Sequence, residues 1–253
     1  MDSYASIARF YDLENADFTE DLPLWSDLAY EAGGPVLELG CGSGRVLLHL
    51  ARQGFAVTGV DSSPAMLNLA RGRLSRQPSI AGRVTLLADN FVRLHLDKTF
   101  PLILLPFNTF AHMIDPADAR ATLETISRHL APGGRAAFSL PNPIPVYGDP
   151  PEAMVLERTF RDEERNVTVQ QFSSLRVDRV AQLGHILWIY DEVDSSGTVT
   201  RTTVPMTLRY FFPNEFSTLL EQSGLRLLHL WGNYDRAPFA EDSPVLIAVC
   251  GNE

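Results

Sequence analysis

Three carboxylates fall where an open α/β sheet would present them together. Glu38 leads into a glycine-rich turn, Asp61 closes Gly59-Val60-Asp61, and Asp89 follows Ala88. The turn runs Val36-Leu37-Glu38-Leu39-Gly40-Cys41-Gly42-Ser43-Gly44-Arg45. Glycines at 40, 42 and 44 strip one side of it of Cβ atoms, so a ligand can lie against the backbone. A helix starting at Arg45 would add amide groups and a positive dipole end. A dinucleotide fingerprint needs G-x-G-x-x-G, with pyrophosphate on the helix N-terminus. Here the third glycine comes one residue early, and Glu38 sets a negative charge where pyrophosphate would lie. A zwitterionic or cationic nucleoside fits better. Asp61, 21 residues after Gly40, can accept two ribose hydroxyl bonds. Asp89 is in reach of an adenine amino group, and Phe91 can cover the ring.

Those side chains need a scaffold of alternating strands and helices. Val36–Leu39, Phe55–Val60, Val84–Ala88, Leu102–Pro106 and Arg135–Leu140 read as short buried strands. Arg45–Gln53, Ser63–Arg76 and Asp115–Leu130 read as helices between them, with Ser62 or Ser63 and Asp115 as N-caps. Gly133-Gly134 is expected to end the third of these helices. Alternation at this spacing predicts parallel βαβ units with right-handed crossovers. Residues 1–34 form an amphipathic helical cap, stopped by Gly33-Gly34-Pro35. The α/β pattern breaks at Pro141, Pro143, Pro145, Pro150 and Pro151. From about Val155 to Tyr210 the chain alternates apolar and polar, with a turn at Asp194-Ser195-Ser196-Gly197, which predicts an inserted antiparallel sheet over residues 143–212. A helix at Pro213–Ser223 and strands at Leu225–Trp231 and Pro244–Cys250 return the chain to the core, which spans 35–142 and 213–253.

Composition narrows the partners. The 253 residues carry a formal charge of −10 and a single lysine, Lys98. Such a surface repels phosphate backbones and anionic lipid, so neither nucleic acid nor a membrane is expected as partner. Cys41 and Cys250 have no metal-ligand spacing, and the six histidines are scattered, so no metal is expected. Two unrelated cysteines, no signal-peptide pattern at the start and no long apolar run point to the cytoplasm.

With these motifs the sequence resembles the class I S-adenosylmethionine-dependent methyltransferases. Glu38 to Gly44 is similar to their first motif, Gly59 to Leu67 to the second, and Ala88-Asp89-Asn90-Phe91 to the adenine-contacting motif. Leu104 to Phe110 occupies the fourth-strand position, and Leu130 to Arg135 resembles the turn before the fifth strand. The resemblance is specific over about residues 35–141. It implies a Rossmann-like, mostly parallel sheet of seven strands with the last antiparallel. It implies S-adenosyl-L-methionine as cofactor and S-adenosyl-L-homocysteine as product. Gly40, Gly42 and Gly44 would pack on the amino acid part, Asp61 on the ribose, and Met66 and Asp89 on the adenine. Cys41, Ser62, Asn90 and Leu105 flank those positions. Tyr11 is similar to a tyrosine that covers the cofactor carboxylate, and Arg45 would make an ion pair nearby. Leu208 to Phe216 and Gly232 to Phe239 resemble small-molecule N- and O-methyltransferases of the glycine and amino-sugar type, which implies a substrate wall in residues 143–212. The Asn/Asp-Pro-Pro-Tyr/Phe motif of nucleic-acid amino-methyltransferases is absent, as residues 105–108 read Leu-Pro-Phe-Asn.

Methyl transfer needs in-line alignment of a nucleophile and exclusion of water. A general base is needed only where the nucleophile is protonated. His112 is the one candidate base. Asn108, Phe110, Asn142, Trp188, Tyr210 and Tyr234 are candidates for the wall around a small-molecule acceptor, and a homodimer is compatible with the chain. Two other readings stay open at this level: a non-catalytic cofactor-binding subunit, and a NAD-dependent oxidoreductase.

Overall fold

A computed structural model describes residues 3–15, 17–147 and 153–252. Pro150 and Pro151 of the proline cluster lie outside the described residues. The N-terminal segment forms two helices, α1 (Ser3–Glu14) and α2 (Leu22–Ala32), where the sequence pattern reads as one helical stretch. Asn15 separates them: its side-chain amide donates to the carbonyl of Tyr11 and closes α1. Gly33 ends α2 at φ 66°, with its N–H on the Ala29 carbonyl.

The core then alternates as the pattern predicts: β1 (Val36–Leu39), α3 (Arg45–Arg52), β2 (Val57–Asp61), α4 (Pro64–Ser75), β3 (Val84–Ala88), β4 (Phe100–Leu105), α5 (Pro116–His129) and β5 (Leu130–Pro141). Ser63 is the N-cap of α4, its hydroxyl accepting from Met66 N–H, and Asp115 caps α5. Strand β5 starts earlier than expected. Leu130 already pairs with Phe100, and Gly133-Gly134 form an irregularity inside the strand rather than a helix stop. After α6 (Pro143–Tyr147) come β6 (Val155–Asp162), β7 (Val167–Asp178), β8 (Leu183–Val193) and β9 (Val199–Arg209). The chain closes with α7 (Pro213–Gln222), β10 (Arg226–Trp231) and β11 (Val245–Gly251).

Two sheets result. The first has seven strands in the order β10-β11-β5-β4-β1-β2-β3, with β11 antiparallel to both β5 and β10 and the other pairs parallel. Its central strands are buried on both faces. Leu37, Leu39, Ile103 and Leu105 pack into one apolar layer, and Val36, Leu102 and Leu104 into the other. That is why these strands read as continuous apolar runs. The chain leaves β1 for β2 on one side, while β4 lies on the other. Their carboxyl ends therefore open a crevice at the switch point, where such sheets bind ligands.

The second sheet has four antiparallel strands in the order β6-β7-β8-β9. Its β8–β9 turn is the one expected from Asp194 to Gly197. The Asp194 carboxylate accepts from the Ser196 and Thr198 amides, and Gly197 adopts φ 84°. Trp188 and Tyr190, two residues apart, share the face that meets α1. The Tyr190 ring stacks on Phe10 at 4.4 Å with an 8° interplanar angle. Ile7, Phe10, Val169, Tyr190 and Val204 form a third apolar cluster that fastens α1 to this sheet.

Candidate active site

The turn after β1 owes its shape to backbone bonds and to Asp61. Gly40 and Cys41 N–H both donate to the Val60 carbonyl, at 2.8 and 3.1 Å. One Asp61 carboxylate oxygen accepts from Gly42 N–H at 2.7 Å, and the other from Ser63 N–H at 2.8 Å. Asp61 thus locks the glycine turn to the start of α4. Glycine is required at position 40. Its φ is 70°, and a Cβ there would stand 2.4 Å from Thr109 Cγ2. Gly42 and Gly44 also take positive φ, and Gly44 is the N-cap of α3.

A cavity of about 680 Å³ opens above this turn. One end is lined by Tyr11, Glu38, Gly40, Cys41, Gly42, Arg45, Asp61, Ser62, Met66, Asn90 and Phe91. Strand ends and helix starts deliver all of these but Tyr11, which α1 lowers onto the site. Burial drives the Tyr11 phenol well above its usual range, so it is a neutral hydrogen-bonding group at any ordinary pH. Gly44, Asp89 and Leu105, from the same sequence motifs, are not in the lining. Leu105 is wholly buried in the apolar layer, as a strand residue facing away from the crevice must be. Asp89 is exposed and turns back to accept from Asn90 N–H. Asn90 faces the cavity one residue on, where its side-chain oxygen caps the turn at Phe91–Arg93.

Arg45 makes the expected ion pair, and its partner is Asp21. The guanidinium grips both Asp21 oxygens, at 2.5 and 2.7 Å, and donates to the Phe18 carbonyl. It also lies over the Phe18 and Phe107 rings. Trp25 donates its indole N–H to the same carboxylate. This buried network satisfies Arg45 within the protein. Glu38 is left without comparable support. It is 2% exposed, and its Oε2 has no hydrogen-bond partner. Burial pushes its carboxyl up to about 8, against the opposing field of Arg45.

The other end of the cavity was not legible in the sequence. Tyr4, Phe107, Thr109, Met113, Ile114, Asp118, Pro205, Met206 and Thr207 line it together with His112. Phe107 and Asn108 both adopt positive φ, 52° and 66°, a conformation that non-glycine residues seldom take. The turn aims Phe107 into the cavity, and Asn108 instead donates its N–H to the Ser139 carbonyl. His112 ends the short turn Thr109–His112, with Nε2 2.9 Å from the Tyr4 hydroxyl. Burial lowers its pKa to about 4, so the imidazole is neutral at physiological pH.

The remaining wall candidates serve the fold. Phe110 is fully buried among Phe138, Phe211 and Phe216. The Asn142 amide donates to the Glu241 and Ser243 carbonyls and ties the end of β5 to the loop before β11. Trp188 packs between the core and the α1 cluster. The Tyr210 ring covers Gly184, where a Cβ would come within 2.6 Å. Tyr234 shares a 3.3 Å hydrogen bond with Ser139 and an edge contact with Phe18. None of the five lies in the cavity lining, nor does Asn108. Among the described residues no cluster of three or more His, Cys, Asp or Glu could hold a metal ion, and no helix is long and apolar enough to cross a membrane.

Residues 36–134, from β1 into β5, match a family described as a methyltransferase domain. The cypemycin N-terminal methyltransferase of a Streptomyces species is 29% identical over 218 residues, covering 86% of this chain and 82% of that protein. The chain carries a methyltransferase domain and is an S-adenosylmethionine-dependent enzyme of that activity. Its fold also matches that of an S-adenosylmethionine-dependent methyltransferase from Clostridium acetobutylicum, with TM-score 0.79, 19% identity and 98% of each chain covered. The sugar N-methyltransferase KedS8 from a Streptoalloteichus species gives TM-score 0.76 at 20% identity, covering 96% of this methyltransferase and 92% of that chain.

The residues of this methyltransferase fit S-adenosylmethionine. The glycine turn leaves backbone open to the amino acid moiety, and the orphaned Glu38 oxygen offers an acceptor for an ammonium group. The Asp61 carboxylate lines the cavity beside Ser62, and Met66, Asn90 and Phe91 form a partly apolar slot of the kind a purine needs.

Proposed function

We propose that this methyltransferase transfers a methyl group from S-adenosylmethionine to a small-molecule acceptor, at nitrogen in preference to oxygen. The observation that carries the reading is one continuous cavity joining the glycine turn to a wall of Met113, Ile114, Pro205 and Met206. Bound there, the cofactor would supply a methyl group already activated by its sulfonium. The protein's part is to bind, orient and exclude water. Gly40, Gly42 and Asp61 fix the donor end. Tyr4, Phe107 and Met206 shape the acceptor end, and α1 covers both.

His112 favours nitrogen. An imidazole held near 4 is a poor base for a hydroxyl group, whereas a free amine presents its lone pair without one. His112 and Tyr4 then act as neutral hydrogen-bonding groups that orient the acceptor. KedS8 is a sugar N-methyltransferase by name and the cypemycin enzyme an N-terminal methyltransferase, which supports the choice. The net charge of −10 supports a small molecule over nucleic acid. The test is S-adenosylhomocysteine release from S-adenosylmethionine with panels of primary and secondary amines and matched alcohols. Turnover is expected with amines. Turnover with alcohols alone would overturn the preference for nitrogen. Calorimetric binding of NAD(H) in place of S-adenosylmethionine would overturn the cofactor.

A further inference from the structure

Glu38 is the one cavity carboxylate whose side chain is both buried and lacking a counter-ion. Its surroundings explain why. Arg45, the only cation among the cavity-lining residues, is held by Asp21 in a bidentate pair. The other titratable groups whose fields act on Glu38 are Asp21 and Asp61, both of which oppose its negative charge. Cys41 and Tyr11, also at this end of the cavity, are neutral thiol and phenol. The neighbouring strands present Gly59 and Leu104 opposite Glu38, neither of which titrates. The Leu47 amide gives it hydrogen-bonding support, and Oε2 has no partner. A carboxylate so placed is costly, and the group avoids the cost by keeping a proton.

We infer that Glu38 carries a proton in the free protein and loses it when the ammonium group of the cofactor arrives beside it, so that cofactor binding expels one proton. The inference rests on the proposed S-adenosylmethionine site. The balance is simple. The Glu38 O–H bond breaks, its proton passes to buffer, and the carboxylate that remains pairs with an ammonium that keeps its own three protons. The partner must therefore be a cationic amine. A ligand with the nucleoside but no amino acid moiety leaves Glu38 protonated. With its carboxyl near 8, about nine in ten molecules hold the proton at pH 7. Affinity for the amino acid-bearing ligand rises up to tenfold per pH unit as pH climbs toward 8, while the ligand ammonium stays charged.

Calorimetry in two buffers of different ionisation enthalpy at pH 6.5 measures the protons exchanged. S-adenosylhomocysteine is the main probe, since it carries the ammonium but no sulfonium charge. 5′-Methylthioadenosine, which lacks the amino acid, is the control. The expected release is about one proton with the first and none with the second. Glu38→Gln, a neutral isostere of the protonated side chain, should bind S-adenosylhomocysteine with no release and without the rise in affinity with pH. Equal release from both ligands, release that persists in Glu38→Gln, or binding of S-adenosylhomocysteine with no release would overturn the inference and leave the cofactor reading intact. Failure of S-adenosylhomocysteine to bind at all would overturn both. Should Glu38→Gln fail to fold, the two-ligand comparison in the unmodified protein still decides.

Discussion

The two sheets of this molecule solve different problems. In the seven-stranded sheet every central strand is buried on both faces, so only strand ends are free to carry chemistry, and Glu38 and Asp61 sit at such ends. In the four-stranded sheet the inner face is spent on packing. Val169, Tyr190 and Val204 hold α1 through Phe10 and Ile7, and only Pro205, Met206 and Thr207 of β9 reach the cavity. The first sheet positions a ligand through backbone geometry. The second positions a helix, and the helix delivers Tyr4 and Tyr11. The backbone of the donor end is therefore set by the first sheet, while Tyr11 over that end and Tyr4 at the acceptor end depend on how α1 is docked.

Four changes can break or sharpen that contrast. The largest effect is expected from Phe10→Ala. It removes a fully buried ring stacked on Tyr190 and should cost about 3 kcal/mol of stability. Denaturant unfolding measures the loss, and amide exchange should rise in α1 while β1 and β2 stay protected. Uniform exchange across both sheets would mean that α1 is not a separately docked element. Asp61→Ala attacks the donor end. It leaves Gly42 N–H and Ser63 N–H without their acceptor and should weaken S-adenosylhomocysteine about 100-fold, or ~2.7 kcal/mol. Unchanged affinity by calorimetry would remove the donor end from the site.

The third effect is a pH dependence. Glu38 has a higher pKa folded than unfolded, so the native state binds the extra proton between about 4.3 and about 8. Ligand-free stability must then fall as pH rises through that window. Glu38→Gln removes the dependence, and its stability advantage over the wild-type chain should grow by about 2 kcal/mol from pH 6 to 7.5, read from paired urea titrations. A constant difference would show that Glu38 is ionised throughout. The smallest effect is expected from Met206→Ala at the acceptor wall. KM for the acceptor should rise about tenfold, ~1.4 kcal/mol, from lost apolar contact, with S-adenosylhomocysteine affinity unchanged. Equal loss of both would show that the two ends are not independent.

The donor end was legible because its signal is local. Glycines at 40, 42 and 44, Glu38 just before them and Asp61 at the next strand end are fixed by turn geometry and strand alternation. Asp89 shows the limit of such reasoning. A one-residue difference in how the chain leaves β3 turns its carboxylate onto the Asn90 amide and gives Asn90 the cavity position. The acceptor end failed for a related reason. Phe107 and Asn108 take a left-handed conformation that only the packed turn enforces, so Phe107 rather than Asn108 faces the cavity. Phe110, Trp188 and Tyr210 have the composition of a binding wall, but their bulk fills the core.

By itself the sequence determined the strand and helix alternation, the inserted antiparallel sheet and the glycine turn with its two flanking carboxylates. Each of these depends on residues close in sequence. Tertiary structure alone decided that α1 brings Tyr4 to His112, that Arg45 is taken up by Asp21, and that Glu38 Oε2 is left without a hydrogen-bond partner. Those outcomes depend on which distant groups meet inside a low-dielectric interior, and the energy of a buried charge is set by its neighbours in space rather than in the chain.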